Sequence, residues 1–336
     1  MSASHGEFDL IRRHFRRDQP LRQATLGIGD DCALLAPSAG QQLAISTDLL
    51  VAGRHFFADV DPATLGHKSL AVNLSDLAAC GARPLACTLS LALPDIDDDW
   101  LQAFAAGLFA LADAHGCELI GGDTTRGPLT IGITVFGEVP PAQALLRSGA
   151  RPGDGIYVSH GPDQGLGDAR LALHLLLQDQ DLAAWPATVR DQLLQATRAR
   201  LEHPQPRVAL GLALRGLASA CCDLSDGLSG DLRHILDASG CAALLQADGL
   251  LQAASPALRL QDTSLALSYA LAGGDDYELL FTAPPEQRAR ILQIARQTGL
   301  HLTRVGRIDA EPGLRLHQMN GRRVCISANG FDHFAA

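Results

Sequence analysis

The feature that most constrains this chain is a short acidic segment that recurs near the ends of predicted strands. Each copy places an aspartate beside a glycine, a hydroxyl residue or a second aspartate. The copies read GIGDD (27–31), STD (46–48), NLSD (73–76), GGDTT (121–125), DLSDG (223–227) and GGDD (273–276). One such aspartate is more often a turn former or a helix cap, because its side chain bonds nearby backbone N–H groups. The recurrence favours a ligand site, since α/β folds collect ligands at strand ends.

Between these segments, apolar residues alternate between strand and helix spacing. A length of 336 residues favours two domains. We expect domains 1–145 and 146–336, joined near 142–153, and both of the α/β class. In the first domain the spacing predicts strands at 43–51, 85–93, 118–121 and 129–139, and helices at 61–81 and 97–115. In the second it predicts helices at 166–177, 189–199, 207–218 and 226–238, a strand into Asp223, and a hairpin turn at Asn320–Gly321.

Composition excludes several classes of function. A net charge of -10 argues against a nucleic-acid partner, which would need a basic surface. None of the eight cysteines forms a C-x-x-C pair, so we expect free thiols in a reducing compartment. The N-terminal residues lack the apolar core of a signal peptide, and no apolar run approaches the ~20 residues of a membrane span. We therefore expect a soluble, cytoplasmic protein with no membrane or nucleic-acid partner.

Two common phosphate-binding motifs fail here. GIGDDC has Cys32 where a dinucleotide fingerprint needs a third glycine, and GHKS at Gly66 lacks the spacing of a P-loop. Carboxylate and hydroxyl oxygens are instead the ligands that suit Mg²⁺ shared with substrate phosphates. Gathered without cations, the aspartates would repel one another, so their convergence would require several Mg²⁺ ions. The alternative is that each aspartate caps a helix, and Asp226, before an apolar helix, fits that best.

Eight stretches, in order, resemble one known family. They are GIGDDCALL, AISTDLLVAGRHF, AVNLSDLAACGARP, LIGGDTTRGP, LRSGARPGD, DLSDGLSGDL, GGDDYELLF and GFDHF. Together they resemble the thiamine-monophosphate kinase family, of the superfamily typified by aminoimidazole ribonucleotide synthetase. The resemblance implies a two-domain α/β (α+β) fold whose N-terminal sheets pair in a homodimer, with ATP bound near that interface. It also implies transfer of the ATP γ-phosphoryl group to thiamine monophosphate, which gives thiamine diphosphate.

That reaction is consistent with the acidic segments. A phosphate near charge -2 that approaches a triphosphate near -4 meets a repulsion of about 8 kcal/mol at 4 Å even in water, which bound Mg²⁺ must offset. The acceptor oxygen is already ionised, so we predict no general base and no phosphoenzyme. This agrees with the lack of a Ser/His/Asp or Cys/His nucleophile pattern.

The resemblance also assigns residues to three kinds of contact. ATP and thiamine monophosphate are the implied substrates, and Mg²⁺ is the implied cofactor. Asp275 stands where the family often has Glu, and Phe331 replaces a Tyr found in some members. The implied ATP contacts are Gly122, Asp123, Arg147 and Ser225, and the implied acceptor contacts are His55, Asp275 and Phe331. The implied metal ligands are Asp30, Ser46, Thr47, Asp48, Asp76, Asp123, Asp223 and Asp226.

Two other functions compete with this one. The first is another ATP-dependent ligase or kinase of the superfamily, against which His55 and the GGDDYE and GFDHF stretches argue. The second is a catalytically silent metal- or nucleotide-binding assembly protein, which the retention of every acidic segment disfavours. For the dimer, we expect the larger apolar face of the strand Leu85–Leu93 to meet a partner sheet.

Overall fold

The computed structural model describes residues 6–311 and 313–327 and divides into two compact units. The first takes the chain up to Leu77 together with Ala82–Ala142, and the second takes Ala78–Gly81 and the chain from Gln143 onward. Both units mix helices and strands, so the predicted α/β class is confirmed. Within the described ranges, no helix has the length and apolar character needed to cross a membrane.

The first unit is built on a four-stranded sheet. The strands of this unit, four in that sheet and two outside it, are β1 (Ala24–Leu26), β2 (Leu34–Leu35), β3 (Gln42–Val51), β4 (Arg83–Leu93), β5 (Glu118–Arg126) and β6 (Thr130–Val139). Its helices are α1 (Glu7–Leu10), α2 (Pro62–Ala79) and α3 (Asp98–His115), with a π-helical turn at Ile11–Phe15. The sheet has the order β3–β6–β4–β5, while β1 and β2 pair separately. The outer strands β3 and β5 are therefore separated by two others.

The helices α2 and α3 pack closely through two glycines. A Cβ atom on Gly66 would lie 2.0 Å from the Phe104 carbonyl oxygen, and one on Gly107 would lie 1.8 Å from the Ala63 carbonyl oxygen. Only glycine permits so short a distance between the two helix backbones. Leu70, Leu74, Leu101, Phe104 and Leu108 are fully buried as a result.

The apolar face of β4 is buried within this one chain, so the expectation that it meets a partner sheet is wrong. β4 lies between β6 and β5, and its side chains Leu85, Cys87, Leu89, Leu91 and Leu93 are at most 6% exposed within this one chain. Because a central strand fills its own core, the available apolar surface lies at the sheet edge. There Leu43, Ile45 and Leu49 of β3 are 42%, 61% and 59% exposed.

The second unit carries a seven-stranded sheet with nine helices among its described residues. The strands are β7 (Gly155–His160), β8 (Ala220–Asp223), β9 (Ala242–Gln246), β10 (Leu279–Ala283), β11 (His301–Asp309), β12 (Leu314–His317) and β13 (Arg323–Cys325). The helices are α4 (Asp168–Leu176), α5 (Gln180–Ala183), α6 (Ala187–Glu202), α7 (Val208–Leu214), α8 (Leu228–Ser239), α9 (Ala247–Ala253), α10 (Pro256–Gln261), α11 (Thr263–Ala272) and α12 (Arg288–Thr298), with a 3₁₀ turn at Pro285–Gln287. The strand order is β13–β12–β9–β11–β7–β10–β8.

The edge of this sheet brings two predicted segments together. β8 runs antiparallel to β10, with Asp223 opposite Leu279. The carboxyl end of β8 therefore adjoins the amino end of β10. As a result, the DLSDG segment that follows β8 lies beside the GGDD segment that precedes β10.

The structure confirms the local setting of two acidic segments and corrects that of a third. Asp48 lies inside β3 and Asp76 inside α2, in agreement with the predicted strand 43–51 and the predicted helix 61–81, whereas Asp123 lies inside β5, so the prediction that this strand ends at Gly121 and leaves Asp123 in a turn is wrong. β5 continues through its two glycines because it pairs with β4 as far as Arg126, and this pairing outweighs the low strand preference of glycine. The predicted hairpin is confirmed, since β12 and β13 pair antiparallel around Gly321.

Candidate functional site

In the first unit, Asp48 on β3 and Asp76 on α2 form an acidic pair. Side chains alternate along a strand, so Ser46 and Asp48 point to the same face, toward α2. The Ser46 hydroxyl donates to Asp76 Oδ2 at 2.5 Å, and the Asp48 N–H donates to Asn73 Oδ1 at 3.1 Å. Burial, and then the negative charge of Asp76, raise the pKa of Asp48 to about 6. Two carboxylates thus share a site where the second negative charge is unfavourable.

The Thr47 side chain is not part of this pair. Its hydroxyl donates to the Ile133 carbonyl at 3.1 Å and accepts from the Thr134 hydroxyl at 3.0 Å. Residues next to each other in a strand point to opposite faces. The structure therefore separates the Thr47 hydroxyl from Ser46 and Asp48, and leaves the backbone of Thr47 beside them.

A second group of predicted residues lines a cavity of about 760 Å³. Asp30, Gly122 and Asp123 face it together with Arg16, and the Asp30 carboxylate accepts the Asp31 N–H at 2.9 Å. Gly122 has a φ of +147°, and a Cβ atom there would lie 1.8 Å from the Leu89 carbonyl oxygen. This volume suits a small organic ligand. Only glycine fits where β5 borders the cavity.

These two groups lie on opposite edges of one sheet. Asp48 is on β3 and Asp123 is on β5, so three strand spacings, about 14 Å in all, separate the strands. Among the described residues, no group of three or more His, Cys, Asp or Glu side chains forms an arrangement that could hold a metal ion. One copy of this unit therefore does not gather its predicted ligands at a single point.

His55 lies in the turn after β3. Its Nδ1 accepts the backbone N–H of Val51 at 3.0 Å. An accepting Nδ1 requires that the neutral ring carry its proton on Nε2. The turn therefore fixes both the tautomer and the orientation of this imidazole.

In the second unit, four predicted residues come from the two adjoining loops. Asp223 ends β8 and is 7% exposed, while Ser225 and Asp226 follow it. The Asp275 N–H donates to the Ser225 carbonyl at 2.8 Å, which ties the GGDD segment to this loop. The structure therefore brings Asp223, Ser225, Asp226 and Asp275 to one end of the sheet. The backbone of Arg147 lies at the other end of α8, because the Arg147 carbonyl accepts the hydroxyl of Ser239, the last residue of that helix, at 3.2 Å.

Asp231 supports this loop and was not singled out in the sequence. Its Oδ2 accepts the N–H groups of Asp226 and Gly227, each at 3.1 Å. Burial, and then the charge of Asp226, raise its pKa to about 7. The N-cap position of α8 is occupied by Gly227, one residue after Asp226. The available signal for Asp231 was an acidic residue in the first turn of a helix.

A buried ionic network behind the GGDD segment was also missed. Glu278 is 1% exposed and pairs with Arg200 at 3.0 Å and with Arg207. Ser159 donates to Glu278 at 2.6 Å, and burial raises the pKa of neighbouring Asp276 well above its usual range. Sequence spacing cannot reveal this network, because its members are up to 119 residues apart. Phe331, the remaining predicted contact, lies outside the described residues.

The donor set of the first unit fits a magnesium ion. Asp48, Asp76 and Ser46 supply hard oxygen ligands, and burial together with the charge of Asp76 raises the pKa of Asp48. A dication beside these carboxylates would favour their ionised form. The chemistry of these residues is therefore compatible with the predicted Mg²⁺.

Both units match family models of one class. The model for AIR synthase related protein, N-terminal domain, matches residues 29–139. The model for AIR synthase related protein, C-terminal domain, matches residues 151–318. Together they cover more than half of the chain, so the fold is that of the AIR synthase related class.

Proteins that are similar to this chain over its full length identify one family within this class. The chain is 47% identical over 332 residues to thiamine-monophosphate kinase of Salmonella typhimurium, covering 98% of each chain. The crystal structure of thiamine-monophosphate kinase from Stenotrophomonas maltophilia is 47% identical, with a TM-score of 0.79 over 91% of this chain and 94% of that one. The structure of AaThiL complexed with AMPPCP and TMP is 29% identical, with a TM-score of 0.74 over 89% of both. The chain belongs to the thiamine-monophosphate kinase family.

Proposed function

We propose that this chain transfers the γ-phosphoryl group of ATP to thiamine monophosphate and so forms thiamine diphosphate. The observation that carries the proposal is the 47% identity to a thiamine-monophosphate kinase across 98% of both chains. The complex of the related AaThiL with AMPPCP and TMP supports the same pair of substrates. Retention of the acidic residues supports an active enzyme over a silent assembly protein.

The proposed chemistry is a direct transfer. A phosphate oxygen of thiamine monophosphate bonds to the γ-phosphorus as the bond from that phosphorus to the β–γ bridging oxygen breaks, and the electron pair leaves with ADP. The acceptor oxygen is already ionised, so no side chain has to remove a proton. The protein's part is to align the groups and to stabilise charge.

For ATP we propose contacts from Gly122, Asp123, Arg147 and Ser225. Arg147 is exposed and can donate two hydrogen bonds to phosphate oxygens. The Ser225 carbonyl already accepts from Asp275, and the Ser225 N–H bonds Asp231, so its hydroxyl is the group left for a phosphate. For the acceptor we propose His55, Asp275 and Phe331.

For Mg²⁺ we propose the carboxylates of Asp30, Asp48, Asp76, Asp123, Asp223 and Asp226, the Ser46 hydroxyl and the backbone of Thr47. Bound Mg²⁺ supplies positive charge that offsets repulsion between the phosphates. The residues of the chain hold that position in advance, since Ser46 and Asn73 fix Asp76 and the backbone of Asp48.

We also propose a homodimer that pairs the open faces of two N-terminal sheets. The exposed apolar side chains Leu43, Ile45 and Leu49 lie along one face of β3, next to the exposed hydroxyl of Thr47. Apolar side chains clustered on a surface favour a protein interface. Since the two acidic groups lie on opposite edges of one sheet, we infer that pairing is required for activity. In this proposal, residues 1–145 bind ATP and Mg²⁺ and dimerise, while 146–336 complete the nucleotide and acceptor sites.

A cytoplasmic location is part of the proposal. All eight cysteines lie within the described residues, and each is a free thiol. Free thiols favour a reducing compartment, where ATP and Mg²⁺ are also available.

The direct test is incubation of the pure protein with MgATP and thiamine monophosphate, followed by mass analysis of the products. We expect thiamine diphosphate and ADP in equal amounts, and no labelled protein when the γ-phosphate of ATP carries the label. ATP consumption with a different phosphorylated acceptor, and none with thiamine monophosphate, would favour the rival kinase of the same class. A labelled protein that forms product would contradict direct transfer.

A further inference from the structure

The segment Asp275–Tyr277 has an uncommon backbone conformation. Asp275 has a φ of +61° and Tyr277 a φ of +48°, whereas only two other described non-glycine residues, Ala142 and Gln178, have positive φ. Aspartate tolerates this region fairly well, but it is unfavourable for a bulky residue such as tyrosine. Such conformations persist only where the surrounding structure enforces them, and they concentrate at functional sites.

The surroundings of this segment do enforce it. The N–H groups of Asp275 and Tyr277 donate to the carbonyls of Ser225 and Leu224, each at 2.8 Å. Between them, the buried Asp276 accepts the Gly167 N–H at 3.0 Å and 3.2 Å. Arg200 donates to the Asp276 carbonyl at 2.5 Å. The segment is therefore held from both sides of its strained backbone.

This conformation places the Tyr277 side chain on the Asp275 carboxylate. The Tyr277 hydroxyl donates to Asp275 Oδ1 at 3.2 Å, and both residues are half-buried. Asp275 is the carboxylate proposed for the acceptor, so whatever orients it acts on acceptor recognition. A tyrosine ring can also stack on a cationic heterocycle.

We propose that Tyr277 is an acceptor-site residue, whose hydroxyl orients the Asp275 carboxylate and whose ring contacts the cationic thiazolium or the aminopyrimidine of thiamine monophosphate. This inference rests on the proposed function. It adds a specificity-determining residue that lies two positions after Asp275 and shares its strained segment.

Two substitutions separate the hydroxyl from the ring. Tyr277→Phe keeps the ring and removes the hydrogen bond, and should raise the KM for thiamine monophosphate about threefold to tenfold. Tyr277→Leu also removes the ring, and should raise it about tenfold to a hundredfold. In both variants the KM for ATP should stay within about twofold of the parent, because the Ser225 and Leu224 contacts use only backbone atoms of the segment. The matched control is Tyr157→Phe, at a buried tyrosine stacked on Phe281, which should change neither KM.

A binding measurement tests the proposal without relying on turnover. The chain has three tyrosines, so 3-fluorotyrosine gives three ¹⁹F resonances, and Tyr277→Phe assigns one of them. We expect saturating thiamine monophosphate, with AMPPCP present, to shift the Tyr277 resonance and to leave that of Tyr157 unchanged.

The outcomes separate this inference from the proposed function. Thiamine diphosphate formation with an unmoved Tyr277 resonance would overturn the inference and leave the function intact. So would Tyr277→Phe and Tyr277→Leu variants that lose stability but keep both KM values, since that result assigns the tyrosine a structural role only. A parent protein that forms no thiamine diphosphate would count against the function, while the ¹⁹F shift still reports whether this tyrosine contacts the ligand.

Discussion

The two units hold their acidic residues in different ways. In the first, Asp48 and Asp76 belong to a strand and a helix, and Asn73 of that helix accepts the Asp48 N–H. In the second, Asp226 and Asp275 lie in loops, where Asp231 accepts the Asp226 N–H and Asp276, next to Asp275, accepts the Gly167 N–H. A regular element offers a rigid ligand at no added cost, whereas a loop needs buried support. We infer that the acidic pair of the first unit, Asp48 and Asp76, serves charge stabilisation, and that Asp275 of the second serves recognition of the acceptor.

The largest expected effect comes from the acidic pair of the first unit. Asp48→Asn and Asp76→Asn each remove a charge that the proposed Mg²⁺ needs, and should lower kcat by about 10²–10³-fold with the fold intact. The matched control is Asp95→Asn, at a side chain that is 84% exposed and pairs with exposed Arg126. Activity assays in MgCl₂ with circular dichroism check this. Full activity in both variants would remove the metal proposal.

The next effect concerns the apolar face of β3. Ile45→Asp places a charge on the proposed dimer face and should give a monomer at micromolar concentration, with activity reduced more than about tenfold. Leu292→Asp is the control, since that side chain is 53% exposed on α12 of the other unit and should leave the dimer intact. Light scattering with activity assays measures both. A fully active monomer would contradict the requirement for pairing.

A smaller effect is expected from Asp231, whose carboxylate holds the loop of the second unit. Asp231→Ala leaves the N–H groups of Asp226 and Gly227 without their acceptor, and should lower the free energy of unfolding by about 1–3 kcal/mol. Asp237→Ala, at an exposed residue of the same helix, serves as the control. Urea denaturation measures both variants. Equal stability of Asp231→Ala and the parent would show that the loop does not depend on this carboxylate.

Another expected effect is a pH dependence in the first unit. The pKa of Asp48 is raised from 3.8 to about 6. An acid with a raised pKa stabilises the fold below its ordinary pKa, and this contribution is lost as the pH rises through about 6. Without Mg²⁺, Asp48→Asn should therefore exceed the parent in stability by about 3 kcal/mol at pH 8 and nearly match it at pH 4. Thermal unfolding at both values checks this, and a variant less stable at pH 8 would contradict the stated cause.

Mg²⁺ should reverse that order. In the proposed site the metal would bind the ionised carboxylate, so it should raise the Tm of the parent at pH 8 more than at pH 5. The Asp48→Asn variant should show little of this increase. An equal increase in the parent and the variant would place the ion elsewhere.

The sequence could predict much of the fold because its signals were local. The alternation in 85–93 and the helical spacing in 97–115 correspond to β4 and α3. The side chain of Asp97 caps the start of α3, and Gly116 is its C-cap residue. The Asn320–Gly321 hairpin was predictable for the same reason. Local patterns could not show that β4 is a central strand, so the apolar face assigned to the dimer was the wrong one.

The candidate site was predictable in its residue types and less so in its arrangement. Asp123 looked like a turn residue because two glycines precede it, yet pairing with β4 makes it part of a strand. Asp231 and Tyr277 act through contacts with Gly227 and Asp275, which depend on backbone geometry that no spacing reveals. The resemblance named the acidic residues, while the structure shows that those of the first unit fall into separate groups.

The most direct test of the contrast between the units is a comparison of Asp76→Asn and Asp275→Ala in steady-state kinetics, with the second substrate saturating. We expect Asp76→Asn to lower kcat by about 10²-fold or more and to leave the KM for thiamine monophosphate within about threefold. We expect Asp275→Ala to raise that KM about tenfold and to lower kcat only a few-fold. If Asp275→Ala instead lowered kcat alone, or Asp76→Asn raised KM alone, the division of roles between the two units would be wrong.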